Sequence, residues 1–246
     1  NEKIDITFYY SLILIVVLNF DLKGISKVLK NNSISSIREI IYLFESKYKN
    51  DERNFSLLRD KILILKTIFY SRIYKKNSKD FFNSIKYESS SDKYKILQNL
   101  ILNFNTVLRE SVQYQGLLRD AIEKFCIVIN LTNTLQGESG LNLISRSLND
   151  ESLVKMKEIF SILALKYDGK LIFNIEKMII EGNKESSTLA TEMLELNLEE
   201  HDFELLSPIL KFQSAEKILK NLETEFPQPI YTIDDCLKSI ILFYKN

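Results

Sequence analysis

Apolar residues recur along this chain at helical spacing, i, i+3, i+4 and i+7, almost without a break, and the strict alternation of a strand is scarce. The pattern and its breaks predict helices over about 3–19, 22–30, 34–49 and 54–75, and again over about 151–167, 170–181, 185–198 and 203–212. In the second set Val154, Ile159, Phe160, Leu163 and Tyr167 make one helical face, and Pro208 falls early in the last helix. The middle carries two more faces, Ile96, Leu97, Leu100, Ile101, Phe104 and Leu108, then Leu118, Ile122, Phe125 and Ile129. Thr232 to Asp235 opens a final helix lined by Leu237, Ile240, Ile241 and Tyr244. About fourteen helices follow from the whole pattern. Ser89 to Asp92 and Gly137 to Gly140 read as loops too short to link domains.

The two sets of helices share a register. Leu12 to Ile15 falls on Ile162 to Leu165, Ile25 on Ile175, and Ile40, Leu43, Phe44 and Glu45 on Ala190, Met193, Leu194 and Glu195. A shift of two residues then sets Phe55, Leu57, Leu58 and Ile62 on Phe203, Leu205, Leu206 and Leu210. Three pairs exchange Asn and Gly, namely Asn19 with Gly169, Gly24 with Asn174, and Asn32 with Gly182. These residue types enter the left-handed region most readily, so the exchanges are read as turns encoded twice. The expected organisation is a single helical-repeat domain over 1–246. Its repeat copies span about 3–65 and 153–213, with a divergent helical middle over 66–152 and a partial repeat over 214–246.

Composition narrows the class. Six Gly and three Pro leave too few turns for a β-rich chain, and 45% hydrophobic residues are ample for a core. Cys126 and Cys236 stand alone, without the spacing of a zinc site or a disulfide scaffold, which suits a reducing, cytoplasmic compartment. Phe8 to Leu18 is too short to span a bilayer and lacks the basic leader of a signal peptide, so it reads as a core helix. Formal net charge is zero, yet residues 1–125 hold 21 Lys and Arg against 14 Asp and Glu, and the remainder 12 against 19. Such a dipole can steer partners or set end-to-end association, although drift in the solvated face accounts for it more simply. The first copy begins almost at residue 1 and the last apolar face ends uncapped, so the natural chain is expected to extend at both ends.

The run from Ser145 to Leu210 resembles a HEAT-like helical repeat. It is similar to the soluble repeat region that follows the membrane domain in some bacterial ATP/ADP translocase-like transporters. The likeness lies in Ile159, Phe160, Leu163, Leu165, Tyr167 and Asp168, then Ala190, Met193, Leu194, Glu195 and Leu198, then Leu205, Leu206, Pro208, Ile209 and Leu210. Asp234 to Ile240 is similar to the entry of a further repeat. The resemblance implies an all-α superhelix, a HEAT-like α-solenoid, and a place beside a membrane protein with any tether upstream of residue 1. No transporter helices are present, so it implies no nucleotide transport.

Catalytic signatures are missing from the sequence: there is no phosphate-binding glycine loop and no nucleophile elbow. His201, among Glu199, Glu200, Asp202 and Glu204, suggests a metal or acid–base cluster, but it falls where the first copy has an interhelical turn, and a metal site draws ligands from several elements. Arg72, Lys75, Lys76 and Lys79, interleaved with Tyr70, Tyr74, Phe81 and Phe82, form a candidate anion-contact patch for nucleic acid or anionic lipid. A helix C-terminus explains Lys75-Lys76-Asn77 more cheaply. The expected function is therefore noncatalytic: an interaction or scaffolding module with a protein partner, no cofactor, no catalytic or metal-binding residue and no small-molecule substrate. The alternatives are the cytoplasmic regulatory segment of a membrane transporter, and a weak nucleic-acid or anionic-surface binder acting through the basic half.

Overall fold

In a computed structural model, the chain is described at residues 25–26, 29–30, 32–48, 52–104, 112–138, 140–210 and 214–245. These residues form eleven α-helices and no strand. The helices expected at 3–19 and 22–30 lie wholly or largely outside them, so the expected fourteen are matched by eleven among the described residues.

Two compact units divide the chain, residues 1–106 and 107–246, and the boundary falls inside the stretch read as the divergent middle. In unit 1, α1 (Ile34–Tyr48), α3 (Ser78–Ile85) and α4 (Ser90–Phe104) all pack on the long α2 (Glu52–Lys76). Polar side chains start the helices around it. Ser33 Oγ accepts from the Ser36 amide at 3.0 Å, Asn77 Oδ1 from the Lys79 amide at 3.0 Å, and Ser89 Oγ from the Asp92 amide at 3.2 Å. Asn77 ends α2 and caps α3 within one residue, turning the chain so that Phe81, Phe82 and Ile85 are buried.

Unit 2 runs through α5 (Val112–Leu135), α6 (Asn142–Lys166), α7 (Gly169–Glu181), α8 (Lys184–Asn197), α9 (Glu200–Leu210), α10 (Ala215–Leu222) and α11 (Ile233–Lys245). Each helix from α5 to α10 packs on the next, and α10 and α11 return to α5. That return closes the unit on itself, whereas each element of an open solenoid touches only its neighbours. Sequence periodicity cannot foresee closure, because it records which face is apolar and not which helix covers it.

Several sequence expectations change here. The helix expected at about 151–167 is the later part of a longer one, α6, which begins at Asn142, and its residues 158–165 are all buried rather than showing a single apolar face. Helix α9 starts at Glu200, which places Pro208 in its last turn rather than early. The proposed left-handed turns also need correction. Asn19 and Gly24 lie outside the described residues; Gly169 opens α7, Asn174 lies within it, and Gly182 has φ −83°, whereas among the described residues the positive-φ glycines are Gly137 and Gly140 in the α5–α6 loop. Gly182 is required for another reason: a Cβ there would collide with the Met178 carbonyl oxygen and with Ser186 Cβ, 2.8 Å away.

One pair of aligned segments has a similar local structure. Asn32 and Gly182 both sit in bends two residues before α1 and α8, and the buried residues Ile37, Ile40 and Phe44 of α1 correspond to Ser187, Ala190 and Leu194 of α8. The next pair differs, since α2 has 25 residues and α9 has 11.

Candidate functional site

Each unit holds a network of ionisable side chains centred on one buried charge. In unit 2 the centre is Asp202, in the first turn of α9, with none of its surface exposed. Its Oδ2 accepts from Tyr167 OH at 2.6 Å, Lys166 Nζ at 3.1 Å and Tyr114 OH at 3.2 Å, while Oδ1 accepts from Gln115 Nε2 at 2.9 Å. Lys166 also donates to Glu199 Oε2 at 2.6 Å and lies over the rings of Tyr114 and Tyr167, about 5 Å from each centroid. Tyr167 OH in turn accepts from the Glu199 amide at 3.1 Å. One carboxylate thus ties α5, the end of α6 and the start of α9 together, across 88 residues of chain.

Electrostatics make this network a lock. Burial alone would raise the Asp202 carboxyl, but hydrogen bonds from Tyr167, Gln115 and Lys166, with the lysine charge, outweigh it and hold the group below its usual range. Burial pushes the Tyr167 phenol up to about 12, with the hydrogen bond to Asp202 adding to it. Burial and the Asp202 charge also push Tyr114 up. Lys166 is likewise raised, its partners outweighing the burial that opposes its charge. None of these groups exchanges protons near neutrality.

The centre of unit 1 is Lys66 on α2, whose Nζ lies 2.8 Å from Glu88 Oε2, 2.9 Å from Glu45 Oε1 and 3.4 Å from Asp92 Oδ2. Tyr70 OH donates to Glu88 Oε1 at 2.7 Å, and Arg59 approaches Asp92 at 3.7 Å. Burial opposes the charge on Lys66, but hydrogen bonds and charges from Glu88 and Glu45 raise its pKa above the ordinary lysine value. Burial, then the Glu88 charge, raises the Tyr70 phenol.

The candidate anion-contact patch is split by the structure. Arg72 is turned inward, where its guanidinium donates to the Asn32 and Leu29 carbonyl oxygens, and burial lowers its pKa. Lys75, Lys76 and Lys79 remain exposed at the α2–α3 corner. The aromatic part of the patch is interior: Tyr70, Phe81 and Phe82 are buried, and edge contacts with Phe81 hold Tyr70, half-buried Tyr74 and Phe82 at 5.9, 5.5 and 5.3 Å. The aromatics are therefore not a stacking platform beside the lysines, because the apolar face of α3 needs them as core.

His201 is exposed in the same turn as Asp202. Among the described residues, no group of three His, Cys, Asp or Glu side chains is placed to hold a metal ion. Cys126 and Cys236 are free and buried, and burial, with the Glu123 charge, pushes the Cys126 thiol up to about 12. The residue missed from sequence is Asp202, which reads there as one of several acidic residues around a histidine. Its signal is slight: Lys166-Tyr167 ends one helix, and 35 residues later an acid opens another. No family model, curated protein or solved structure matches this chain.

Among the described residues, no helix is long and apolar enough to cross a membrane.

Proposed function

We propose that this chain is a noncatalytic helical interaction module, and that the flank of α11 contacts a protein partner. One observation carries it. Cys236 is buried and Ile240 packs against the core formed with α5, yet Ile233, Leu237 and Ile241, at i, i+4 and i+8, continue the apolar surface sideways beyond that contact. Ile241 is 57% exposed, and Ile230 just ahead of the helix is fully exposed. Contiguous uncovered apolar surface of this kind is typical of interaction sites, unlike singly scattered residues. The buried networks add support, since the strongly perturbed groups are engaged in holding helices together. The HEAT-like and transporter-associated readings rest on the sequence resemblance alone.

The test is site-specific photo-crosslinking from position 241 in cells, followed by titration of the recovered protein against the purified chain. Ile241→Asp should weaken that binding by about tenfold or more while leaving the helical circular-dichroism spectrum unchanged. Equal affinity of the variant and the wild-type chain would remove α11 as the contact.

A further inference from the structure

The outer face of α8 differs from an ordinary solvated helix surface. Ser187, Ala190 and Leu194 are buried on its inner side. On the opposite side Glu185, Leu189, Glu192 and Leu196 follow one another at i, i+4, i+7 and i+11, with Leu189 52% and Leu196 84% exposed. Glu195 flanks this line. Helix propensity alone does not call for two leucines between glutamates, and packing within the unit leaves half of Leu189 and most of Leu196 uncovered. The surface suits an occupant with both an apolar stem and a positive tip, which describes lysine.

Such an occupant lies on the chain itself. Lys75, Lys76 and Lys79 are exposed at the α2–α3 corner, with Asp80 in the first turn of α3. Neither these three lysines nor Glu185, Glu192 and Glu195 make an ion pair among the described residues, although Lys66, Lys124, Lys155 and Lys166 all do. Unit 1 holds 18 Lys and Arg against 11 Asp and Glu, and unit 2 holds 15 against 22, so the wider fields around the two surfaces have opposite sign.

We propose that copies of this chain associate head to tail, the lysine corner of one copy lying on the glutamate–leucine face of α8 in the next. Lysine stems cover Leu189 and Leu196 while their ammonium groups reach the glutamates. The two surfaces are different, so each contact leaves one of each kind free, and association continues into a ring or an open chain. The contact is small and charged, hence weak and salt-sensitive. It is independent of the α11 flank.

Sedimentation velocity of the whole chain tests it over about a hundredfold range of concentration. At low salt the weight-average sedimentation coefficient should rise with concentration, and about 0.5 M salt should abolish the rise. The triple variant Lys75→Glu, Lys76→Glu, Lys79→Glu should stay monomeric alone, and so should Glu185→Lys, Glu192→Lys, Glu195→Lys. Mixed, they should associate again, because each supplies the charge the other lacks, a recovery that misfolded variants could not show. Leu196→Ser should weaken association without changing charge, and Ile241→Asp should leave it untouched. A wild-type chain that stays monomeric at low salt, or charge-swapped variants that do not recover on mixing, would overturn the proposal.

Discussion

The two units solve the same problem with opposite charge. Unit 1 buries a cation, Lys66, among Glu45, Glu88 and Asp92, while unit 2 buries an anion, Asp202, beneath Lys166, two phenols and an amide. The difference is in how far each centre is sealed. Asp202 is wholly enclosed, its oxygens bonded by groups from two segments, α5 and the end of α6, whereas the Glu45 side chain around Lys66 is 43% exposed and can turn to water. A sealed charge depends on its partners for nearly all of its stabilisation, and a half-open one can exchange a lost partner for solvent.

The contrast is sharpest for Asp202→Ala, which leaves an ammonium and two phenols facing an empty site and should destabilise the chain by about 3–5 kcal/mol in denaturant unfolding. Its pH dependence has a definite sign. The folded carboxyl sits below its unfolded value, so its stabilising contribution is present above about pH 4 and is lost as pH falls through the lower folded pKa. Protection factors at α9 amides, corrected for the intrinsic pH dependence of exchange, should therefore fall on acidification in the wild-type chain, with a flatter profile in Asp202→Asn. Identical profiles would mean that the carboxylate does not hold this junction.

A smaller loss, about 1–3 kcal/mol, is expected for Lys66→Met, because Glu45 and in part Asp92 can rehydrate once the cation is gone. Equal losses for Lys66→Met and Asp202→Ala would break the distinction between a sealed and a half-open centre. The phenols give the finest comparison. Tyr70→Phe removes one donor to a carboxylate and should cost about 1 kcal/mol. Tyr167→Phe should cost about 2 kcal/mol, because it also strips the acceptor from the Glu199 amide. Matched unfolding curves for the four single variants would read these differences directly.

Much of the architecture was legible from periodicity. Helical spacing located α1, α2, α7 and α8 to within two residues, and the offset of 150 residues placed the buried positions of α1 and α8 in register. The turn chemistry misled, because Asn and Gly occur within helices or at close approaches as well as at left-handed positions, and residue type alone does not separate these cases. For the site, Arg72, Lys75, Lys76 and Lys79 were visible as one basic cluster, but the structure turns Arg72 inward onto carbonyl oxygens and leaves the lysines outside. Asp202 was visible only as one acid among several.

What the residues determined alone is local: which segments coil, which stripe of each helix avoids water, and where a serine, asparagine or aspartate starts the next turn. These follow from backbone propensity and from side-chain spacing of 3.6 residues. Only the tertiary structure decided that α10 and α11 return to α5, that residues 158–165 are enclosed on all sides, and that Asp202 meets Tyr114 at a separation of 88 residues. Those outcomes depend on which apolar faces meet, and burial turns the same carboxylate from a solvated surface charge into the centre of a lock.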